Sequence, residues 1–202
     1  MLIDLTHTFD EQIPVYPGDP ATEIRPAGIL ARNGFQDHYV CCGTHVGTHM
    51  DAPSHMIAGG KNLDQLPVEQ FTGPGTCINV DGGFSLELVK NAPIKEGDVV
   101  FFCTGMDAKY HEAVYFNNYP VMTPEVAEYL VSKNVKIVGT DTCSPDGPGS
   151  SFPIHDILLG NGVLIIENLT GLRQLAGKRF EIYAFPLKYA LDGAPVRVIA
   201  RV

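Results

Sequence analysis

Apolar and polar residues alternate over Leu2–Phe9, the period of a strand with one buried face. Ile13-Pro14-Val15-Tyr16-Pro17-Gly18-Asp19-Pro20 holds three prolines and a glycine in eight residues, which predicts an ordered loop. Short strands are expected from there into the segment near residue 45. Apolar runs at Cys77–Val80 and Asp98–Cys103, bounded by Gly or Asp turns, predict buried strands. Val135–Val138 and Val163–Ile166 predict two more, the second ending at Glu167. Phe180–Leu187 and Pro195–Val202 complete the set, joined through an Asp192-Gly193 turn. Pro124–Lys133 follows the helical period instead. Val126, Ala127, Leu130 and Val131 share one face, Thr123 stands at the N-cap and Pro124 at the first helical position.

Strands outnumber helices in a mixed order. That pattern predicts an α+β or layered α/β domain with a mixed central sheet and flanking helices. Residues 1–202 show no internal repeat, low-complexity tract or linker, so the chain reads as one domain. At 45% hydrophobic residues it can bury a sizeable core. A net charge of −9 with no Lys/Arg cluster argues against nucleic acid as a partner. No apolar run approaches the roughly 18–20 residues of a membrane span, and Met1–Leu5 has no signal-peptide pattern. Five cysteines without a Cys-x-x-Cys pair fit thiols in a reducing cytoplasm better than a disulfide framework.

The chemistry concentrates in Gly43–His55. His45, His49, Asp51 and His55 fall within eleven residues, although the whole chain has seven histidines. Imidazole nitrogen and carboxylate oxygen suit zinc and manganese. Gly43, Gly47 and Pro53 keep the stretch out of a long helix. His49 and Asp51 are two apart, so an extended backbone puts both on one side. The stretch therefore predicts a cation site. His155 and Glu167 are candidates for further ligands, the alternatives being a helix-start residue and a turn cap. A charge at Glu167, ending an apolar strand, is costly to bury without a partner.

These residues, together with Ile3-Asp4-Leu5-Thr6-His7, Pro17-Gly18-Asp19, Gly139-Thr140-Asp141-Thr142, Ser144-Pro145-Asp146, Glu167-Asn168-Leu169 and Pro186-Leu187-Lys188, resemble the cyclase-family metal hydrolases. That family includes bacterial kynurenine formamidase and isatin hydrolase. The resemblance spans nearly the whole chain and implies the family's swivelling β/β/α domain. It implies two divalent metal ions, with zinc favoured over manganese. His45, His49 and Asp51 match the ligands of one ion, Asp51 and His155 those of the other, and Glu167 the bridge. His55 matches the proton donor and acceptor, with metal ligation as its alternative. Two ions about 3.5–4 Å apart lower the pKa of water and polarise a carbonyl, and a histidine of near-neutral pKa can protonate the leaving amine.

The implied activity is hydrolysis of a small amide-type C–N bond, led by arylformamidase activity on N-formylkynurenine. Another cyclic amide or lactone is the alternative, and a non-catalytic metal-binding or metabolite-sensing domain is the rival of another class. Tyr16 stands where the formamidase pattern has a substrate-stacking tryptophan, and the chain has no tryptophan. Tyrosine can stack on an aromatic ring, so Tyr16 is the candidate substrate contact. The resemblance further implies a homodimer or larger homo-oligomer, with Thr104–Met122 or Ile13–Pro20 near a neighbouring subunit. Thr104–Met122 could also form a pocket wall or lid. Asp4, His7 and Asp19 are expected to support ligands or loops, His38 to be structural, and Cys41-Cys42 to pack with one thiol facing each way.

Overall fold

A computed structural model describes residues 1–202. In chain order the elements are β1 (Leu2–Asp4), β2 (Glu23–Gly28), α1 (Leu30–Asn33), β3 (Asp37–Cys41), β4 (His49–Asp51), β5 (Thr72–Asn79), α2 (Leu86–Lys90), β6 (Val99–Cys103), α3 (Pro124–Ser132), β7 (Ile137–Thr140), α4 (Pro153–Gly160), β8 (Leu164–Glu167), β9 (Arg179–Tyr183), β10 (Gly193–Pro195) and β11 (Ile199–Arg201). Nine strands form one mixed sheet in the order β1-β11-β9-β5-β6-β7-β8-β4-β10. Neighbours among β5, β6, β7 and β8 run parallel, and every other pair is antiparallel. Parallel neighbours need crossovers, and α2, α3 and α4 supply the three. β2 and β3 pair only with each other, as a hairpin apart from the sheet.

Strand alternation divides the core in two. Val99, Phe101 and Cys103 of β6 face one apolar cluster, whereas Val100 and Phe102 face the other. The first cluster also draws Ile3, Met50, Ile182 and Ala200 from strands toward both ends of the sheet, so the sheet curls around it. The second lies under the helices and joins Val126, Leu130, Ile154 and Leu158 to Val138 and Ile165. This is the layered α/β architecture with flanking helices that the pattern predicts. No helix is long and apolar enough to cross a membrane.

The boundaries differ from expectation in informative ways. The alternation over Leu2–Phe9 becomes strand only to Asp4; Thr6 then makes a single bridge to Leu169, and Phe9 packs on the cluster of Ile13 and Tyr115. The helix over Pro124–Ser132 forms with Thr123 at its N-cap, although the threonine side chain makes no capping bond. The strand expected at Val135–Val138 runs Ile137–Thr140, with Val135 buried ahead of it. Phe180–Leu187 is strand only to Tyr183, and Pro195–Val202 only over Ile199–Arg201. Asp192-Gly193 is not a hairpin turn: Gly193 begins β10, which crosses to the opposite edge of the sheet and pairs with β4. A dipeptide signals a turn locally, but here a partner about 140 residues earlier in the chain decides the backbone.

Candidate metal centre

Two neighbouring strands build the floor of the site. β4 and β8 are antiparallel, with His49 opposite Glu167, Met50 opposite Ile166 and Asp51 opposite Ile165. Met50 and Ile166 turn into the apolar core. Alternation then directs His49, Asp51 and Glu167 to the other face, next to α4, which carries His155. These four residues are at most 6% exposed. The expectation that His49 and Asp51 share a side is met, and Glu167 completes the same face.

The carboxylates each reach in two directions. Asp51 Oδ1 lies 2.8 Å from His45 Nδ1 and 3.3 Å from His49 Nε2, while its Oδ2 lies 3.6 Å from His155 Nε2. Glu167 Oε2 lies 3.4 Å from His49 Nε2, and Oε1 lies 3.3 Å from His155 Nε2. Neighbouring groups hold both inner rings by the nitrogen that faces away. His49 Nδ1 is 2.8 Å from the Gly47 carbonyl, and His155 Nδ1 is 2.7 Å from Asp146 Oδ2. In the metal-ligating tautomer each Nδ1–H donates to that oxygen, leaving the Nε2 lone pair for the centre.

That arrangement fits a cation. His49 Nε2, Asp51 Oδ2 and Glu167 Oε1 are buried without any hydrogen-bond partner. Unpaired buried polar atoms are costly, and three of them on neighbouring side chains mark a place for a ligand. One nitrogen or oxygen each from His49, Asp51 and Glu167 lies within 4.8 Å of the others, as does one each from His45, Asp51 and His55. The donors are imidazoles and carboxylates, which suit a divalent transition metal.

Without a cation, the charges polarise one another. Burial disfavours protonated His45, but Asp51 and Asp192 override it and raise its pKa to about 9. Burial likewise opposes protonation of His155, yet Asp146, Asp51 and Glu167 push it up to about 12. Asp51 is penalised by burial but held well below the carboxylate range by His45 and His49. His55 goes the other way: burial, with His45 and His155 nearby, lowers its pKa despite Asp51. His55 is therefore a neutral imidazole near pH 7, able to accept a proton.

Above the floor, a short helical turn at Pro53–His55 sets His55 against His45, with ring centres 3.8 Å apart. Tyr16, Phe116, Phe152 and Pro14 are the apolar part of the rim of a cavity of about 260 Å³ that also holds His45, His49, His55, His155 and Glu167. The structure thus brings together every residue the sequence nominated for the site. Tyr16 meets Phe116 edge to face at 6.0 Å. Thr104–Met122 forms a wall: Tyr110, Tyr115 and Tyr119 are buried and Phe116 lines the cavity. Of the supporting candidates, only Asp19 borders the cavity. Asp4 instead pairs with Arg197, and His7 stacks on Tyr110. His38 is exposed on β3, and Cys41 is exposed while Cys42 is half-buried.

Three supporting residues carry roles that the sequence does not signal. Asp146 accepts hydrogen bonds from the Ile154 and His155 backbone, closing the start of α4 as well as holding the His155 ring. Asn168 donates to the Gly47 carbonyl at 2.9 Å and accepts from Tyr115 at 2.7 Å. Gly47 itself has φ +64, a left-handed turn that glycine adopts without strain. Asp192 approaches His45 Nε2 at 2.8 Å. Asp146 and Asn168 lie within the family motifs, but nothing local ties any of the three to its histidine or loop.

The family model described as a putative cyclase matches residues 3–147. The chain belongs to this cyclase family. Kynurenine formamidase from Geobacillus thermodenitrificans is 30% identical over 202 residues, covering 98% of this chain and 96% of that one. Isatin hydrolase A from Labrenzia aggregata, solved with benzyl benzoate bound, superposes with a TM-score of 0.90 at 27% identity, over 100% of this chain and 93% of that one. A structure described as a potential metal-dependent hydrolase with cyclase activity gives a TM-score of 0.84 at 27% identity, over 99% and 96% of the two chains. The resemblance read from the motifs is thereby established at the level of family and fold. Metal-dependent relatives and the His/Asp/Glu cluster together point to divalent metal binding.

Proposed function

We propose that this cyclase-family protein is a binuclear metal-dependent hydrolase of a small amide C–N bond, with an aryl formamide such as N-formylkynurenine as the leading substrate. The observation that carries the reading is the cluster of His49, Asp51 and Glu167, each with an orphaned buried ligand atom, beside an aromatic-rimmed cavity that His49 and Glu167 line. His45, His49 and Asp51 would hold one ion and Asp51 and His155 the other, with Glu167 between them. Divalent ions held there, zinc in the first place and manganese in the second, would lower the pKa of water toward neutrality and polarise the carbonyl under attack. The two-directional reach of Asp51 and Glu167 supports the shared roles.

The chain's own groups supply the rest. His55, neutral and half-buried at the cavity, accepts the proton released as water attacks and returns it to the departing amine nitrogen. Tyr16 and Phe116 offer ring faces and edges to an aryl group, which orients the amide over the floor. Kinship with a kynurenine formamidase and an isatin hydrolase supports both an open-chain formamide and a cyclic amide as substrate types.

The test is turnover of the purified, metal-loaded protein against aryl formamides, cyclic amides and lactones. Release of formate and an aryl amine is the expected result. Turnover only of cyclic amides or lactones would reassign the substrate within the same chemistry. Two bound ions with no turnover of any of the three classes would contradict the hydrolase reading and favour a metabolite-sensing domain.

A further inference from the structure

Asp192 occupies a position that the hydrolase reading does not use. Its Oδ2 lies 2.8 Å from His45 Nε2 and 3.4 Å from His55 Nδ1, so one carboxylate oxygen faces both rings. Its Oδ1 accepts from the Thr44 hydroxyl at 3.4 Å. The backbone is fixed as firmly as the side chain. The Asp192 carbonyl accepts from Ala52 N at 2.8 Å, and Gly193 pairs with Asp51 in the ladder of β4 and β10. A Cβ on Gly193 would sit 2.7 Å from His45 Cε1, so the bare backbone forms the seat of that ring. His45 is held on both nitrogens, by Asp51 on one side and Asp192 on the other.

We propose that Asp192 is a positioning residue shared by the two outer histidines, fixing the ring orientation of His45 toward the metal and of His55 toward the substrate. The proposal rests on the binuclear hydrolase reading. An imidazole that gives one nitrogen to a cation is oriented, and made a better donor, by a carboxylate on the other nitrogen. Asp146 holds that place behind His155, and Asp192 holds it behind His45. With Nδ1 of His55 turned to Asp192, Nε2 is the nitrogen left for proton transfer. The shorter contact is to His45, so the metal effect is expected to be the more direct of the two.

The test strips the protein of metal and titrates it with cobalt(II) alone, in wild type, Asp192→Asn and Gly193→Ala. Stoichiometry, affinity by competition with a chelating indicator, and the visible cobalt spectrum are read together. Asp192→Asn should still bind two equivalents, with one of them weakened about 10–100-fold and its absorption band altered. Gly193→Ala keeps the carboxylate but crowds His45, and should disturb the same band. In the zinc-loaded protein, Asp192→Asn should lower kcat more than it changes KM, and should cost a smaller factor in a His55→Ala background than in wild type, where both rings depend on it. Wild-type affinity and spectrum in Asp192→Asn would overturn the proposal. So would loss of a whole equivalent, which would make Asp192 a ligand. If wild type itself bound no cobalt, the hydrolase reading would fail instead, whatever Asp192 did.

Discussion

The floor and the rim of the site are built on opposite principles. On the floor, His49, Asp51, His155 and Glu167 are almost fully buried, and three of their polar atoms have no hydrogen-bond partner. At the rim, the side chains of His55 and Asp192 are 28% and 38% exposed and lie within hydrogen-bond reach of each other, and His45, 20% exposed, joins the two groups by touching Asp51 on one side and Asp192 on the other. Burial without satisfaction is tolerable only where something else supplies the missing interaction. The floor is therefore arranged to bind, and the rim to orient and to move protons. Substitutions on the floor should remove a bound ion, whereas substitutions of His55 or Asp192 should leave both ion sites fillable and change affinity or rate.

The sharpest way to break this division is His55→Ala. The protein should keep both metals and lose roughly two to four orders of magnitude in turnover. Loss of a metal would move His55 to the floor group as a ligand, and unchanged turnover would remove it from the chemistry. Asp146→Ala tests the floor through its support. It removes the carboxylate that holds the His155 ring and accepts from two backbone N–H groups at the start of α4. Metal affinity should fall about 10–100-fold, and the metal-free protein should lose on the order of 1–2 kcal/mol in a denaturant titration.

Much of the floor is legible in the sequence, and the reasons are physical. Two residues of a strand that are two apart share a face, so spacing alone sets His49 beside Asp51. A charge closing the apolar run Val163–Ile166 is conspicuous, which singles out Glu167. The helix that carries His155 is legible only as the helix start offered as an alternative for that residue, and its extent is not. It is eight residues long and begins after the Gly- and Ser-containing stretch 147–151 at Phe152, a non-glycine residue with φ 57. Propensity says little about so short a helix, and packing of Ile154 and Leu158 on the sheet stabilises it instead. At the rim, Asp192-Gly193 reads as a turn from its neighbours alone, and only its pairing with β4 shows otherwise.

A smaller effect separates the metal-free and loaded states. His45, raised to about 9, and His155, raised to about 12, are both protonated at pH 7 in the metal-free protein. A cation must displace those protons, so its affinity should rise with pH, the His45 contribution levelling off near pH 9. Calorimetry in two buffers of different ionisation enthalpy should show proton release on metal binding at pH 7. Binding without proton release would mean that these rings do not ligate.

The smallest effect lies away from the cavity. Burial lowers the His7 pKa to about 4 although Asp107 raises it, and the ring stacks on Tyr110 at 3.7 Å. The unfolded chain takes up a proton near pH 6.5 while the folded one does not until about 4. The stability that neutral His7 permits is present above pH 6.5 and lost as pH falls toward 4. His7→Phe keeps the stack and should flatten that slope, by less than about 1 kcal/mol after allowing for solvent screening. An unchanged slope in denaturant titrations at pH 7 and pH 4.5 would show that His7 is not its source.

The central claim is that the floor binds two divalent ions through shared carboxylates. Elemental analysis of metal-saturated wild type and Glu167→Ala after gel filtration tests it most directly. The account predicts about two ions per chain in wild type and clearly reduced occupancy in Glu167→Ala. Full retention of both ions in the variant, or a single ion in wild type at saturation, would contradict it.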